Sequence, residues 1–466
     1  MKKIFLSLLL LGILLRFILQ FLFPSFNVDE ISLGNNIKHS GFIQLLYPLQ
    51  FGQSSPPLFL WLQKLTISIA PCSFWVNIKI ISFLSSVAGI ILFFIFIKNN
   101  NYQPIFLLLF SILLFNPFII NNSLTVKQYT FDLTGVIFML VYFKSTWFQR
   151  RNWIFFLFWS LASNIGLFAC VGYLLYNLII NRPASASAIY SFIKKNFLTF
   201  LAPLPYVFYF CWFMQQKGAA ELKLYMVKYW SDSFIPINGN IFKYLMYAIH
   251  GLWIYMFCSF ELWGIFLMII CIPFFFFLKN KEYLFKHEIA LLCCILFIHL
   301  TLNVLHLYPF SDRLYLYLAP LLLLILGSSI TSMLSFNNKY ITTCSILFSV
   351  MTLTLYSFYL PYKENDVVSL YKKLNNINEN NFYATEKALD CINTFNDFTE
   401  NKFKPKQTFV LLNSNASAGY LISRVAKKIK RNVTAPEETS IQDLINSNQI
   451  TKIDCVSGYN IYQIKK

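Results

Sequence analysis

Two adjacent carboxylates, Asp29 and Glu30, follow directly on the first long apolar run of the chain. Charge beside hydrocarbon is costly, so the pair marks the outer exit of a membrane span. A carboxylate at the rim of a membrane cavity can take a proton from an acceptor hydroxyl or amine, or hold a sugar. The alternative is a pair of solvated loop residues. A second polar group, Lys127, Gln128, Tyr129 and Asp132, sits at the outer end of another apolar run. Its lysine can make a point-charge contact with a lipid phosphate, or simply snorkel to the interface. The third group is His306-Leu307-Tyr308-Pro309-Phe310-Ser311-Asp312-Arg313. Arginine suits bidentate phosphate binding, and Arg313 stands on the side where the positive-inside rule disfavours it. An acid and two phosphate-type cations on one membrane face make a candidate site.

Such a site needs apolar elements to position it, and the composition supplies them. Of 466 residues, 57% are hydrophobic and only 12% charged, against about 25% charged in a soluble domain. Apolar runs near the span length of about 20 residues recur along most of the chain. They are Leu- and Phe-rich without the alternation of an outer-membrane barrel, so the spans are helices. The net charge of +18 could suggest nucleic acid. Many of the lysines and arginines, however, lie in short loops between spans, where they orient the chain in the bilayer. Nucleic acid is therefore not an expected partner.

Starting with the N-terminus in the cytoplasm, as an uncleaved signal anchor, the first span covers about 4–23. A first periplasmic loop of about 24–75 follows, in which Pro56 to Ala70 reads as an interfacial helix or the start of the next span. Further spans fall at about 76–97, 104–120, 130–143, 153–166, 168–181, 197–213, 261–278, 288–304, 313–331 and 340–360, about eleven in all. The polar segment 214–240 lies outside, and 241–258, which carries Lys243 and His250, reads as interfacial. From about Pro361 the chain turns rich in Asn, Lys, Asp and Glu. There 407–412 reads as a strand, Ala418–Ile429 as an amphipathic helix, and Ile453–Val456 and Tyr459–Ile464 as two closing strands. The expected organisation is a transmembrane catalytic domain over 1–360 and a small periplasmic α/β domain over 361–466.

Absent motifs narrow the chemistry. There is no GxxxxGKS or GxxxxGKT phosphate loop, no HExxH and no GxSxG elbow, which argues against a soluble nucleotide-using enzyme. The ten cysteines include no CxxC, and Cys293-Cys294 lies inside an apolar run. Cys391 and Cys455 both fall in the C-terminal polar region and could pair if it is periplasmic. No cofactor is expected, and no pattern indicates a divalent metal. An outer-facing enzyme lacks cytosolic nucleotide sugars and needs a donor already delivered through the membrane.

Asp29-Glu30, then Gly41, then Ser55-Pro56-Pro57-Leu58-Phe59-Leu60-Trp61-Leu62 resembles the first periplasmic loop of GT-C glycosyltransferases. The nearest likeness is to bacterial members of the protein O-mannosyltransferase and lipid A aminoarabinose transferase group. Lys127-Gln128-Tyr129-Thr130-Phe131-Asp132 is similar to the outer start of that group's fourth span. His306 through Arg313, then Leu318-Ala319-Pro320, resembles its late periplasmic loop. The resemblance implies a polytopic α-helical inner-membrane protein of the GT-C type. Such an enzyme moves a sugar from a polyprenyl-phosphate-linked donor to a lipid, glycan or protein acceptor at the periplasmic face. It further implies Asp29 as base or acceptor-orienting carboxylate with Glu30 beside it, and Lys127 and Arg313 on the donor phosphate. Gln128, Tyr129, Asp132, His306 and Asp312 are further candidates. Where the aminoarabinose transferases carry a Glu-Lys pair before two prolines, this chain has Ser54-Ser55, which leaves the sugar open. Other readings are a polyprenyl-linked glycan transporter or flippase, and an O-antigen polymerase or ligase. Few mid-span charges and an arginine-free 214–240 segment weigh against them.

Overall fold

The computed structural model describes residues 2–22, 26, 28–69, 74–100, 105–183, 185–236, 239–246, 248, 251, 285–333, 367–374, 382–384, 389, 392–393, 395–396, 409–411, 419–424, 450–456 and 459–464. The spans expected at 261–278 and 340–360, Cys391, and the boundary near 361 lie outside them. Among the described residues, four helices are long and apolar enough to cross a membrane: Lys2–Phe21, Val76–Asn99, Asn164–Asn181 and Lys286–Val304. A fifth candidate is the pair Ala186–Lys195 and Phe197–Phe213, bent by 65°. At 1.5 Å per residue such helices reach across about 30 Å of hydrocarbon. The protein is a multi-pass membrane protein.

In chain order the helices are α1 (Lys2–Phe17), α2 (Val28–His39), α3 (Pro57–Ile69), α4 (Phe74–Asn99), α5 (Ile105–Phe115), α6 (Pro117–Ser123), α7 (Tyr129–Tyr142), α8 (Thr146–Ala162) and α9 (Asn164–Asn181). Then come α10 (Ala186–Lys195), α11 (Phe197–Leu201), α12 (Leu204–Phe213), α13 (Ala219–Tyr229), α14 (Lys286–Val304), α15 (Ala319–Met333) and α16 (Val367–Leu374). The first loop thus holds two helices, α2 and α3, with α3 where the interfacial helix was expected.

The span expected over 104–120 is two helices. Pro117 has no N–H to give to Leu113 O, and Asn116 is extended, its side chain capping α6 through Ile119 N–H at 3.0 Å. Arg16, 1% exposed within α1, fills the break. It donates to Leu114 O at 3.0 Å, Leu113 O at 3.4 Å and Ser86 Oγ at 2.8 Å. One guanidinium therefore ties α1 to α4 and to the open end of α5.

The pair expected to turn near 167 turns instead at Ser163, the one residue between α8 and α9. Ser163 is extended and its hydroxyl accepts from Ile165 N–H at 3.1 Å, capping α9; serine is a strong N-cap, so the break follows the cap. Close approach is made by glycines, as in other membrane helix pairs. A Cβ on Gly166 would stand 2.4 Å from the Trp159 backbone carbon, and one on Gly135 would stand 2.1 Å from the Trp159 ring. Gly166→Ala should therefore lower stability by roughly 1–3 kcal/mol, read as a fall in melting temperature in detergent; an unchanged melt would refute this packing.

The bundle has two chemically distinct ends. At one, Lys144 pairs with Glu288 at 2.6 Å and Tyr176 Oη meets His287 Nδ1 at 3.0 Å. At the other lie the starts of α7 and α9, facing the first loop.

The C-terminal strands are β1 (Phe382–Ala384), β2 (Phe409–Leu411), β3 (Gly419–Arg424), β4 (Ile450–Val456) and β5 (Tyr459–Ile464), in the order β2-β1-β3-β5-β4. β1 runs parallel to β2 and β3, while β5 is antiparallel to β3 and β4. Strands stand at 409–411 within the expected 407–412, and over the expected 453–456 and 459–464. Of the amphipathic helix expected over 418–429, residues 419–424 are instead the central strand. Its Tyr-Leu-Ile run fits a pleated sheet, and pairing on both edges decides the state where local propensity is weak. Ile422, Ile461, Phe382 and Ala384 are buried with Leu370, Tyr371 and Leu374 of α16. They share one hydrophobic cluster with Phe26, Ile31, Leu33, Ile37, Leu45 and Leu60 of the first loop.

Candidate functional site

Asp29 and Glu30 stand in the first turn of α2, where carboxylates suit the positive end of the helix dipole. The opposite end of α2 is closed from α3: Lys64 Nζ donates to Ile37 O at 2.9 Å and Lys38 O at 3.1 Å. Burial there pulls the Lys64 ammonium below the usual lysine value. Asn36 holds the following loop by exchanging two hydrogen bonds with Gln50, at 3.2 and 2.9 Å. Asp29 is half-buried, whereas Glu30 is fully buried.

That loop meets the residues before α7 at three successive positions. Glu30 Oε1 accepts from Val126 N–H at 3.0 Å. Lys127, 7% exposed, donates from Nζ to Gln53 Oε1 at 2.5 Å. Ser55 Oγ donates to Gln128 Oε1 at 3.2 Å. The first and second polar groups are thus one assembly, with Pro56 and Pro57 launching α3 beside it. Gln53 was not among the expected site residues; as a neutral polar side chain before two prolines it carries little signal of its own.

Within α7, Tyr129 and Asp132 are buried. The Asp132 carboxylate accepts a short hydrogen bond from the Ser163 hydroxyl. Tyr308, from the third group, lies within electrostatic reach of Asp132, Tyr129 and Tyr206 and hydrogen-bonds Asn164, whose Oδ1 also accepts from Tyr206 at 2.6 Å. Burial first, and then the nearby carboxylate, push the Tyr308 phenol well above its usual value. The third group therefore reaches the second through Tyr308. His306 does not share that contact: its ring stacks on Phe234 at 5.0 Å and Nε2 donates to Ile235 O at 3.3 Å, with φ at +55°. Asp312 and Arg313 belong to a 3-10 segment, Asp312–Leu318, that packs on α7; their side chains lie outside the described residues.

Three buried groups escaped sequence reasoning. Arg16 sits inside the first span, and His299 inside α14. The His299 ring donates to Pro309 O at 3.0 Å and accepts from Tyr317 at 2.8 Å, pinning the 305–311 loop. Lys79 is 1% exposed with its ammonium 4.0 Å from the Phe26 ring centroid. Its signal was available: it is a lysine at the outer end of an apolar run, as disfavoured there as Arg313. Among the described residues, no cluster of three His, Cys, Asp or Glu could hold a metal ion.

This arrangement sets a buried cation and a half-buried carboxylate on two segments fastened together by Glu30. No known family profile and no curated protein sequence matches the chain. Among solved structures, it is similar to ArnT from Cupriavidus metallidurans bound to undecaprenyl phosphate. The TM-score is 0.51 at 9% identity, covering 99% of this chain and 97% of that one. The apo form of the same protein matches with a TM-score of 0.37 at 11% identity, over 97% of each chain. The first likeness runs end to end and is one of fold.

Proposed function

We propose that this protein is a glycosyltransferase that moves a sugar from a polyprenyl-phosphate-linked donor to a lipid, glycan or protein acceptor. The reaction would take place at the periplasmic face of a bacterial inner membrane. The observation that carries the reading is the Glu30–Val126 junction, which sets the turn bearing Asp29 against the segment bearing Lys127. An end-to-end fold likeness to a protein that binds undecaprenyl phosphate supports it.

In this reading Asp29 takes the proton from the acceptor hydroxyl or amine as its lone pair attacks the anomeric carbon. The bond from that carbon to the phosphate oxygen breaks, and the electron pair leaves on the polyprenyl phosphate. Lys127 and Arg313 stabilise that leaving charge in a site of low dielectric. Glu30 orients rather than reacts, because its carboxylate is committed to a backbone amide. Gln128 and Tyr129 shape the floor, and Asp132 with Tyr308 braces it. His306, stacked on Phe234, and Asp312 belong to the late loop that leads to Arg313. Ser55, occupied with Gln128, stands where the aminoarabinose transferases place charge, so the donor sugar is left open.

The test uses the purified full chain in vesicles with polyprenyl-phosphate sugars and membrane-extract acceptors. Mass spectrometry should show free polyprenyl phosphate appearing with a glycosylated acceptor. Donor that crosses leaflets uncleaved would overturn the proposal in favour of a transporter.

A further inference from the structure

At the end of the bundle opposite the candidate site, α10 carries an amphipathic face that is largely exposed, Phe192 meeting Phe200 at 6.4 Å between ring centroids. The chain leaves α9 through Arg182, a left-handed residue at φ 41° that closes the helix on Leu178 O. Ser185 then caps α10 through Ala188 N–H at 3.2 Å. Within α10, Ile189, Phe192 and Ile193, continued by Phe197, recur at the spacing of one helical stripe. Lys194, Lys195, Ser187 and Ser191 fall on the other side. None of the residues in α10 is buried, and Ile189, Tyr190, Ile193 and Phe197 are 46%, 68%, 46% and 54% exposed. A helix this short is marginal in water without packing. It joins α9 to the helices beginning at Phe197 and bends 65° away from them, so it does not continue their line.

We propose that α10 lies in the headgroup region of the leaflet at this end and selects anionic phospholipid. The apolar stripe enters the acyl boundary, and Lys194, Lys195 and Arg182 take the phosphodiester charges. Charge complementarity fixes the partner: three cations flank this stripe, while its polar face holds serines and lysines and no acid. The role is independent of sugar transfer and concerns how the protein is seated in its membrane.

The full-length protein in nanodiscs of phosphatidylcholine, with or without phosphatidylglycerol, provides the test by hydrogen–deuterium exchange. Amides of 186–197 should exchange at least about tenfold more slowly when phosphatidylglycerol is present. Lys194→Gln with Lys195→Gln should erase most of that difference while α14 amides stay unchanged. Equal exchange in the two lipid compositions would overturn the proposal, as would a double variant that keeps the full difference. Ile193→Asp, which burdens the stripe without touching the lysines, should raise exchange in both compositions; an unchanged rate would count equally against it.

Discussion

On the proposed function, Asp29→Asn should lower sugar transfer by about two to four orders of magnitude, the usual worth of a general base, and leave the thermal melt of the protein where it was. The asymmetry between two neighbouring carboxylates makes this a sharp expectation. Glu30 is wholly buried and its oxygen is bonded to Val126 N–H at 3.0 Å, whereas Asp29 is half-buried in the same helical turn. Glu30→Ala should therefore show the opposite pattern. It strands a buried amide and costs roughly 1.5–3 kcal/mol, the range for hydrogen bonds to charged groups. Glu30→Gln keeps an acceptor oxygen and should recover most of that loss. Transfer is read as released polyprenyl phosphate and stability as the melting temperature in detergent. If Asp29→Asn transfers at the native rate, or Glu30→Ala melts normally while transfer disappears, the roles assigned to the pair are wrong.

Arg16→Leu should be the most damaging single change in the membrane bundle. It removes the donors from Leu113 O, Leu114 O and Ser86 Oγ at once. Each buried polar group left unmatched costs about 1–3 kcal/mol, so a loss of roughly 3–9 kcal/mol is expected. Arg16→Lys should recover only part, because a point ammonium cannot span acceptors on two helices as a planar fork does. Asn116→Ala, which removes the cap on α6 but not the arginine, should cost only about 1 kcal/mol. A melting temperature for Arg16→Leu within error of the native protein would show that the break in α5 is satisfied otherwise.

How much of this was legible in the chain follows from what each signal depends on. Apolar run length reports membrane partition, which is a local property, and so α1, α4, α9 and α14 fall where composition puts them. Chemistry-bearing residues at unexpected depths are also local signals, and they drew attention to Asp29, Lys127 and Tyr308's loop. What stayed hidden is relational. Glu30 looks like the natural partner of Asp29 until Val126, far along the chain, turns out to hold it. Arg16 reads as an awkward charge in a span until Pro117 opens a helix beside it. The stretch 419–424 carries enough apolar residues for either a helix or a strand, and only its two neighbours in the sheet settle the matter. Ser163 shows a middle case: its capping chemistry was visible, but the run length on each side pulled the expected turn four residues too late.

The shared cluster beneath the first loop has a consequence for how the protein comes to exist. Phe26, Ile31 and Leu60 are made early and pack against Phe382, Ile422 and Ile461, which leave the ribosome only after hundreds of further residues. The Glu30–Val126 bond likewise spans 96 positions. Throughout synthesis, then, the loop that carries Asp29 stands without its final apolar cover, and its surface must be shielded by the insertion machinery or by the bilayer itself. Maturation of the site is therefore a late event in the life of the chain, set by the arrival of its last strands rather than by insertion of its first span.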